Sequence, residues 1–329
     1  MEHYIWPLSG IDSSTLIYGC MQIAGSWDAS PVTKEQRAKA FSAIDAALEA
    51  GVDFFDHADI YCRGKSEELF GEYLKEHPSL REQITIQSKC GIQLPEEAVA
   101  GKRRLPVRFN FSYDHIMKST EGILSRLGIE YLDVLLLHRP DPLVEPEEVA
   151  EAFSELHRTG KVRHFGVSNH APAQIELLEA YLDQPVVTNQ LEISLLHPDL
   201  VSEGSAVNQR DPAYMTRDHG TLQYCRENGI TVQAWSPMAK GLLSGADTGG
   251  EPENVRNAAQ LVAELAEEKG VSREAIVLAW LLRHPAPILP VVGTTNPTRI
   301  AAAAEAPRVD LSREEWYLLL EEARGMSMP

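Results

Sequence analysis

The chain has 329 residues, 43% of them hydrophobic, and carries 30 basic against 48 acidic side chains for a net charge of −18. That length supports a large core, built either as two domains or as one large α/β barrel. The acidic balance argues against nucleic acid or an anionic membrane surface as the main partner.

Strand and helix patterns alternate from the N-terminus onward. Residues 3–12 read as a short hairpin, and 14–19 (STLIYG) as a first inner strand. A helix follows over 33–50, where Thr33 and Gln36 have capping-box spacing and Phe41, Ile44 and Leu48 repeat at the helical period. Gly51 ends it. The next strand, 53–56, stops on Asp56, and Tyr61 opens the loop before a helix over 66–75. A strand over 84–89 leads into a long irregular stretch, 90–111, containing the basic cluster Lys102, Arg103 and Arg104. A helix over 114–127 stops at Gly128, and the continuous apolar run 132–137 (LDVLLL) reads as a strand buried on both faces. It ends at His138.

Further units follow the same pattern. A helix over 146–159 precedes a strand over 165–167 that ends at Ser168 and Asn169, and a helix begins at Pro172, an N1 proline. The strand 186–188 ends at Asn189 and Gln190. A long loop to about 218 and a short helix before Gly229 precede a strand over 230–235, which ends at Ser236 and Pro237. Helices over 254–269 and 272–282, a strand over 288–292, a helix from Pro297 and a last helix over 312–324 complete the chain. The eightfold strand–helix alternation predicts an α/β fold, a (β/α)8 TIM barrel with an N-terminal β-hairpin and an extra C-terminal helix, as one domain over 1–329. The first strand–helix turn lacks G-x-G-x-x-G, which weakens a Rossmann reading.

In such barrels function collects at the carboxyl ends of the strands. Here those positions are Asp56 with Tyr61, Lys89, His138, Ser168 with Asn169, Gln190, Trp235 with Ser236, and Gly293 with Thr294. Nearly all are polar, although the strands feeding them are apolar. Caps and packed turns explain some of them, but do not readily place a Tyr, a Lys, an Asp and a His on three neighbouring strands. Asp56, His57 and Asp59 could suggest a metal site, but no second cluster completes a ligand set, so no metal is expected.

The segments D-H-A-D-I-Y (56–61), S-K-C-G around Lys89, L-L-L-H-R-P-D around His138, G-V-S-N at Ser168 and Asn169, W-S-P from Trp235 and G-T-T-N-P-T-R from Gly293 resemble the aldo-keto reductases, and its bacterial monomeric branch in particular. The resemblance spans the whole barrel. It implies reversible hydride transfer between a nicotinamide cofactor and an aldehyde or ketone, with Asp56, Tyr61, Lys89 and His138 as the catalytic set. The chemistry agrees. Carbonyl reduction builds negative charge on oxygen and needs a proton, and a phenol of pKa about 10 is a poor acid unless a nearby ammonium favours the phenolate. Tyr61 is then the general acid, Lys89 its tuner, Asp56 the group that holds Lys89, and His138 a neutral imidazole orienting the carbonyl.

The same resemblance implies NADPH/NADP+ as cofactor, with NADH possible. Ser168, Asn169 and Gln190 would meet the carboxamide and Trp235 would stack on the nicotinamide. Ser236, Met238 and Lys240 would run along the pyrophosphate, and Gly293, Thr294, Thr295 and Arg299 would hold the far end. A helix start with free N–H groups attracts phosphate, and Arg299 in its first turn opposes the helix dipole, so a phosphate partner is expected there. Many members of the family have Lys at Gly293 and Asn at Ala303, losses that weaken the grip on the 2′-phosphate and the adenine. Loops 22–30 with Trp27, 90–113 and 195–217 are expected to build the substrate pocket, with Phe109, Phe111 and Tyr113 as lining. The four cysteines, Cys20, Cys62, Cys90 and Cys225, share no metal-type spacing. No leader pattern or membrane span is evident, so a cytoplasmic monomer with reduced thiols is expected. Two alternatives stand beside the reductase: a cofactor-binding regulatory subunit on the same fold with little turnover, and a metal-dependent barrel hydrolase.

Overall fold

Eight parallel strands form a closed barrel in the computed structural model, which describes residues 1–95, 103–207, 209 and 219–329. The barrel strands are β3 (Ile17–Gly19), β4 (Phe54–Asp56), β5 (Thr85–Cys90), β8 (Leu132–Leu137), β9 (Val162–Ser168), β10 (Val186–Glu192), β11 (Thr231–Trp235) and β12 (Ile288–Val292). They follow one another around the barrel in chain order. An antiparallel hairpin, β1 (His3–Ile5) with β2 (Asp12–Ser14), precedes them. The helices are α1 (Lys34–Glu49), α2 (Lys65–Glu76), α3 (Tyr113–Leu127), α4 (Pro146–Arg158), α5 (Pro172–Glu179), α6 (Asp199–Ser202), α7 (Thr221–Glu227), α8 (Glu253–Lys269), α9 (Arg273–Leu282), α10 (Pro297–Ala303) and α11 (Arg313–Arg324). The predicted (β/α)8 architecture, with its hairpin and final helix, is therefore the observed one.

Local chemistry accounts for the boundaries. Ser112 caps α3 by accepting from the His115 N–H, and Gly128 closes the helix in the left-handed conformation. Every residue of β8 is buried, as a strand covered on both faces requires. Its one charged member, Asp133, is held by Arg81 at 2.9 Å and Arg163 at 3.0 Å and accepts the Ile86 N–H at 2.9 Å. The two guanidinium groups also sandwich the Tyr131 ring, at 3.9 and 3.8 Å from its centroid.

Some elements were not foreseen. β9 has seven residues rather than three, because Val162, Arg163 and His164 continue the ladder against β8. A two-stranded ladder, β6 (Ile92–Gln93) with β7 (Arg108–Phe109), lies within the stretch expected to be irregular. Residues 96–102, with Lys102 of the basic cluster, and residues 208 and 210–218 of the loop 195–217 lie outside the described residues.

The chain gathers into two compact units. One comprises Gly19–Ser42 and Asp53–Asn189; its core includes the stacked Phe153 and Phe165, 4.0 Å between ring centroids. The other comprises Met1–Tyr18, Ala43–Val52 and Gln190–Pro329. There α11 docks on α9 through stacked Trp280 and Trp316, and each indole N–H donates to the other residue's carbonyl.

Candidate active site

In the unit that holds Gly19–Ser42 and Asp53–Asn189, β4, β5 and β8 are neighbours, and their carboxyl ends bring four polar side chains together. Side chains alternate across a strand. Gln87 and Lys89 of β5 therefore share one face, while Ser88 points the other way. Lys89 is wholly buried, and its Nζ donates to both Asp56 oxygens at 2.7 Å, to the His57 carbonyl at 2.8 Å and to the Tyr61 hydroxyl oxygen at 2.9 Å. The Gln87 amide adds a bond to Asp56 Oδ1 at 2.6 Å. A buried ammonium saturated in this way is retained because its partners are close and its hydrogen bonds complete. Burial works against its charge, but Asp56 and then Tyr61 outweigh that and hold Lys89 protonated, its pKa raised.

The Tyr61 oxygen accepts from Lys89, so its own O–H is free to point elsewhere. Burial pushes the phenol pKa above 10, and the ammonium of Lys89 only partly offsets this. This corrects the expectation of a net lowering: an enclosed phenolate loses more hydration than one ammonium returns. His138 follows β8, is anchored by its N–H to the Cys90 carbonyl at 2.9 Å, and faces the Tyr61 ring edge-on at 6.0 Å. Burial, then the charges of Lys89 and Arg139, holds its pKa well below 6.5, so the imidazole is neutral. Its Nδ1 is buried without a partner.

A supporting layer lies behind this set. Ser88 donates to Glu67 Oε1 and Arg126 to Glu67 Oε2, both at 2.7 Å, tying β5 to α2 and α3 through one buried carboxylate. The Asp59 N–H bonds the Lys89 carbonyl at 3.0 Å, and burial, then the neighbouring Glu67, raises the Asp59 carboxyl to about 7. Gly91 has φ +106°, and a Cβ there would stand 2.3 Å from the Phe111 ring. Only glycine lets the chain turn past that ring after Cys90. Phe111 is buried and stacks with His170 at 6.2 Å, so of the three aromatics expected to line a pocket it is the one spent on packing. Phe109 and Tyr113 are half-buried.

Ser168 and Asn169 end β9. Asn169 takes a left-handed φ of 61° and donates to Ser168 Oγ at 2.8 Å. His170 and Asn189 then lock the turn, with Asn189 Nδ2 donating to the His170 carbonyl at 2.8 Å. Sequence reasoning missed His170 and Gln87 and named Asn189 only as a strand end. Gln87 and Asn189 are buried polar residues within barrel strands, a visible signal, whereas His170 lies in the turn after β9.

The unit containing Gln190–Pro329 carries the remaining predicted residues. Gln190 is buried and donates to Gln233 Oε1 at 2.7 Å. Trp235 is half-buried at the end of β11. Ser236, Ala239 and Lys240 then adopt left-handed φ of 54°, 42° and 60°, backbone strain of a kind that clusters at ligand-binding segments. Met238 is half-buried among them. A Cβ on Gly241 would lie 4.0 Å from Arg299 Nη1, so the exposed Arg299 faces this loop. Tyr18 fixes the following turn by donating to the Thr294 carbonyl at 3.0 Å. Gly293 is exposed and Thr295 half-buried. One expectation needs correcting. The side chain of Asn296 already accepts from the Thr298 and Arg299 N–H groups, at 2.9 and 3.4 Å. The attraction for phosphate at this helix start then rests on the Arg299 guanidinium more than on free N–H groups. Ala303 is buried.

Within each unit the donor chemistry suits part of a nicotinamide dinucleotide. The first unit offers a hydroxyl and an amide at the end of β9. The second by itself offers an indole, a loop of left-handed backbone and a guanidinium. Among the described residues no group of three or more His, Cys, Asp and Glu could hold a metal ion, and Asp56 is committed to Lys89 and Gln87.

Fold and side chains together define a closed (β/α)8 barrel that gathers an Asp, a Tyr, a Lys and a His at the carboxyl ends of neighbouring strands. The family model of the aldo/keto reductases matches residues 15–321. The chain is 40% identical over 290 residues to oxidoreductase YdhF of Escherichia coli, covering 88% of each chain. It is 36% identical over 315 residues to 6-dehydroglucose reductase of Agrobacterium fabrum, covering 96% of each. A crystal structure of the thermostable aldo-keto reductase Tm1743 superposes with a TM-score of 0.74 at 25% identity, over 98% of this chain and 100% of that one. The chain therefore belongs to the aldo/keto reductase family: it is an oxidoreductase of the kind whose general reaction is carbonyl reduction with a nicotinamide cofactor.

Proposed function

We propose that the protein is an NADPH-dependent carbonyl reductase, a single catalytic domain over residues 1–329 working as a cytoplasmic monomer, with Tyr61 as its general acid and base. The observation that carries this reading is the contact of one buried ammonium, Lys89 Nζ, with both oxygens of Asp56 and with the Tyr61 hydroxyl. The bound cofactor supplies the hydride. Tyr61 gives its proton to the substrate oxygen as negative charge develops there. Lys89 already donates to the phenol oxygen, so the phenolate left behind meets a charge-assisted hydrogen bond without rearrangement. Asp56 keeps Lys89 protonated and aimed. His138, neutral, hydrogen-bonds the carbonyl oxygen and orients it. In the oxidation direction the Tyr61 phenolate takes the alcohol proton.

Ser168, Asn169 and Gln190 would hold the carboxamide, and the Trp235 ring would cover the nicotinamide. Ser236, Met238, Lys240, Gly293, Thr294 and Thr295 would follow the phosphates. The preference for NADPH rests on Arg299, whose exposed guanidinium suits a 2′-phosphate. The four free, buried cysteines support a reducing compartment. The similarity to 6-dehydroglucose reductase of Agrobacterium fabrum supports including oxidised sugars among the carbonyl substrates.

Titrating the protein with NADPH and then NADH, followed by tryptophan fluorescence, tests the cofactor assignment. Quenching at micromolar NADPH and much weaker quenching with NADH is expected. Similar binding of both would mean that Gly293 and Ala303 have relaxed the selection, and binding of neither would remove the reductase reading.

A further inference from the structure

The three residues after Tyr61 are unusual in their backbone. Cys62 and Arg63, neither of them glycine, lie at φ 47° and 61°, followed by Gly64 at 88°. Left-handed conformations cost non-glycine residues energy, and two in succession persist only where the surroundings fix them. Gly64 has a steric reason, since a Cβ there would stand 2.8 Å from Arg126 Cδ. In this conformation the Cys62 and Arg63 side chains meet the segment that follows β3.

The contacts there are directed at backbone. Cys62 Sγ lies 3.3 Å from the Met21 carbonyl, and Arg63 Nε donates to the Trp27 carbonyl at 2.9 Å. Lys65, buried although charged, donates to Ser26 Oγ at 3.1 Å and to the Ser30 carbonyl at 3.2 Å, with Asp28 Oδ1 at 3.6 Å. The Ser30 hydroxyl and N–H, with help from Ser26, hold the Asp28 carboxyl at about 2, so it stays ionised beside Lys65. The segment 21–30 is thus clasped to the turn that carries Tyr61. Trp27 and Met21 keep 39% of their surface exposed, although their backbones are pinned.

We infer that Arg63 and Lys65 are positioning residues that fix the Trp27 loop beside Tyr61 as one wall of the carbonyl site, and that this wall selects substrates by size and aromaticity. The inference rests on the reductase reading above. A Trp27 whose backbone is held beside Tyr61 offers an aromatic substrate a stacking partner at reduced ordering cost, whereas a short aliphatic aldehyde gains little from it.

The test uses wild type, Lys65→Met, Arg63→Gly and Lys65→Arg, each with a Trp27→Phe counterpart. The first readout needs no turnover: acrylamide quenching of the Trp27 emission, taken as the difference between each protein and its counterpart. The second is kcat/KM for para-nitrobenzaldehyde relative to propanal. Expected are a rise in Trp27 quenching in Lys65→Met and Arg63→Gly, a fall of about tenfold in the aromatic-to-aliphatic ratio, and recovery of that ratio in Lys65→Arg. Unchanged quenching overturns the clasp. Increased quenching with an unchanged ratio overturns the selective role, as does an equal loss on both aldehydes. If wild type reduces neither aldehyde, the reductase reading fails and size selection with it, while the quenching difference still decides whether the clasp holds the loop.

Discussion

Lys89 Nζ stands 2.9 Å from the Tyr61 hydroxyl oxygen, and it is the donor in that bond, because its remaining hydrogens are directed at Asp56 and the His57 carbonyl. The phenol therefore keeps its proton for a substrate. Lys89→Met should separate two effects. Asp56 would keep the Gln87 amide but lose its buried counter-cation, costing about 3–5 kcal/mol of stability, and the phenolate would lose its stabilising charge. Urea denaturation and the reduction rate should both fall, and Lys89→Arg should recover stability better than rate, because a planar guanidinium cannot reproduce the point contact with Tyr61.

The raised pKa of Tyr61 fixes the sign of the pH dependence. Reduction needs the protonated phenol, so its rate should hold through neutrality and fall only above about pH 10. Oxidation needs the phenolate and should rise over that same range. His138 is held neutral well below 6.5, so neither direction should show a limb near pH 6.5. Initial rates of both directions from pH 5 to 11 check this.

Stability should depend on pH through other groups. Burial lowers His57 to about 3 and His170 to about 4. Above the unfolded value of about 6.5 both states are neutral and neither residue matters. As pH falls below it, the unfolded chain takes up protons that the folded one refuses, and stability is lost until the folded pKa is passed, at up to about 1.4 kcal/mol per pH unit for each group. Asp59, raised to about 7, acts in the opposite sense between its unfolded value and pH 7. Melting temperature should thus climb from pH 4 to 6.5, and Asp59→Asn should steepen the climb.

Asp133 is a stability element remote from the chemistry. Asp133→Ala would take the counter-ion from Arg81, which is 13% exposed and keeps the Ile84 and Tyr131 carbonyls, and would leave the buried Ile86 N–H without its acceptor. A loss of about 3–5 kcal/mol in denaturant unfolding is expected, with cofactor binding retained in the surviving folded fraction.

Arg299→Ala tests the cofactor preference. Affinity for NADPH should fall by one to two orders of magnitude, a loss of roughly 1.5–3 kcal/mol for a charge-assisted contact, while NADH binding is scarcely altered. Equal losses for both would place Arg299 against a group the two cofactors share.

Much of the fold was legible because burial on both faces leaves a strong trace: the bounds of β8 and β12 are those the apolar runs predict. β9 was cut short because Arg163 and His164 break its apolar run, although the ladder with β8 continues through them. The β6–β7 ladder was hidden because its strands have two residues each and a long separation in sequence. At the candidate site, the strand ends named from the sequence include Asp56, Lys89 and His138, which with Tyr61 the structure brings together, since a polar residue closing an apolar strand is visible in the sequence. The pKa of Tyr61 was misjudged because the sequence names the neighbouring charge but not the depth of burial. Free N–H groups were expected at the helix start before Arg299, but that the Asn296 side chain takes two of them is a matter of geometry.

The most direct measurement is kcat for carbonyl reduction by wild type and Tyr61→Phe, with NADPH affinity of both proteins measured by fluorescence. The account predicts a fall in kcat of about 10²–10⁴ with cofactor affinity retained. A Tyr61→Phe protein that binds NADPH and reduces the substrate at a rate close to wild type would contradict it, and the proton would have to come from another group.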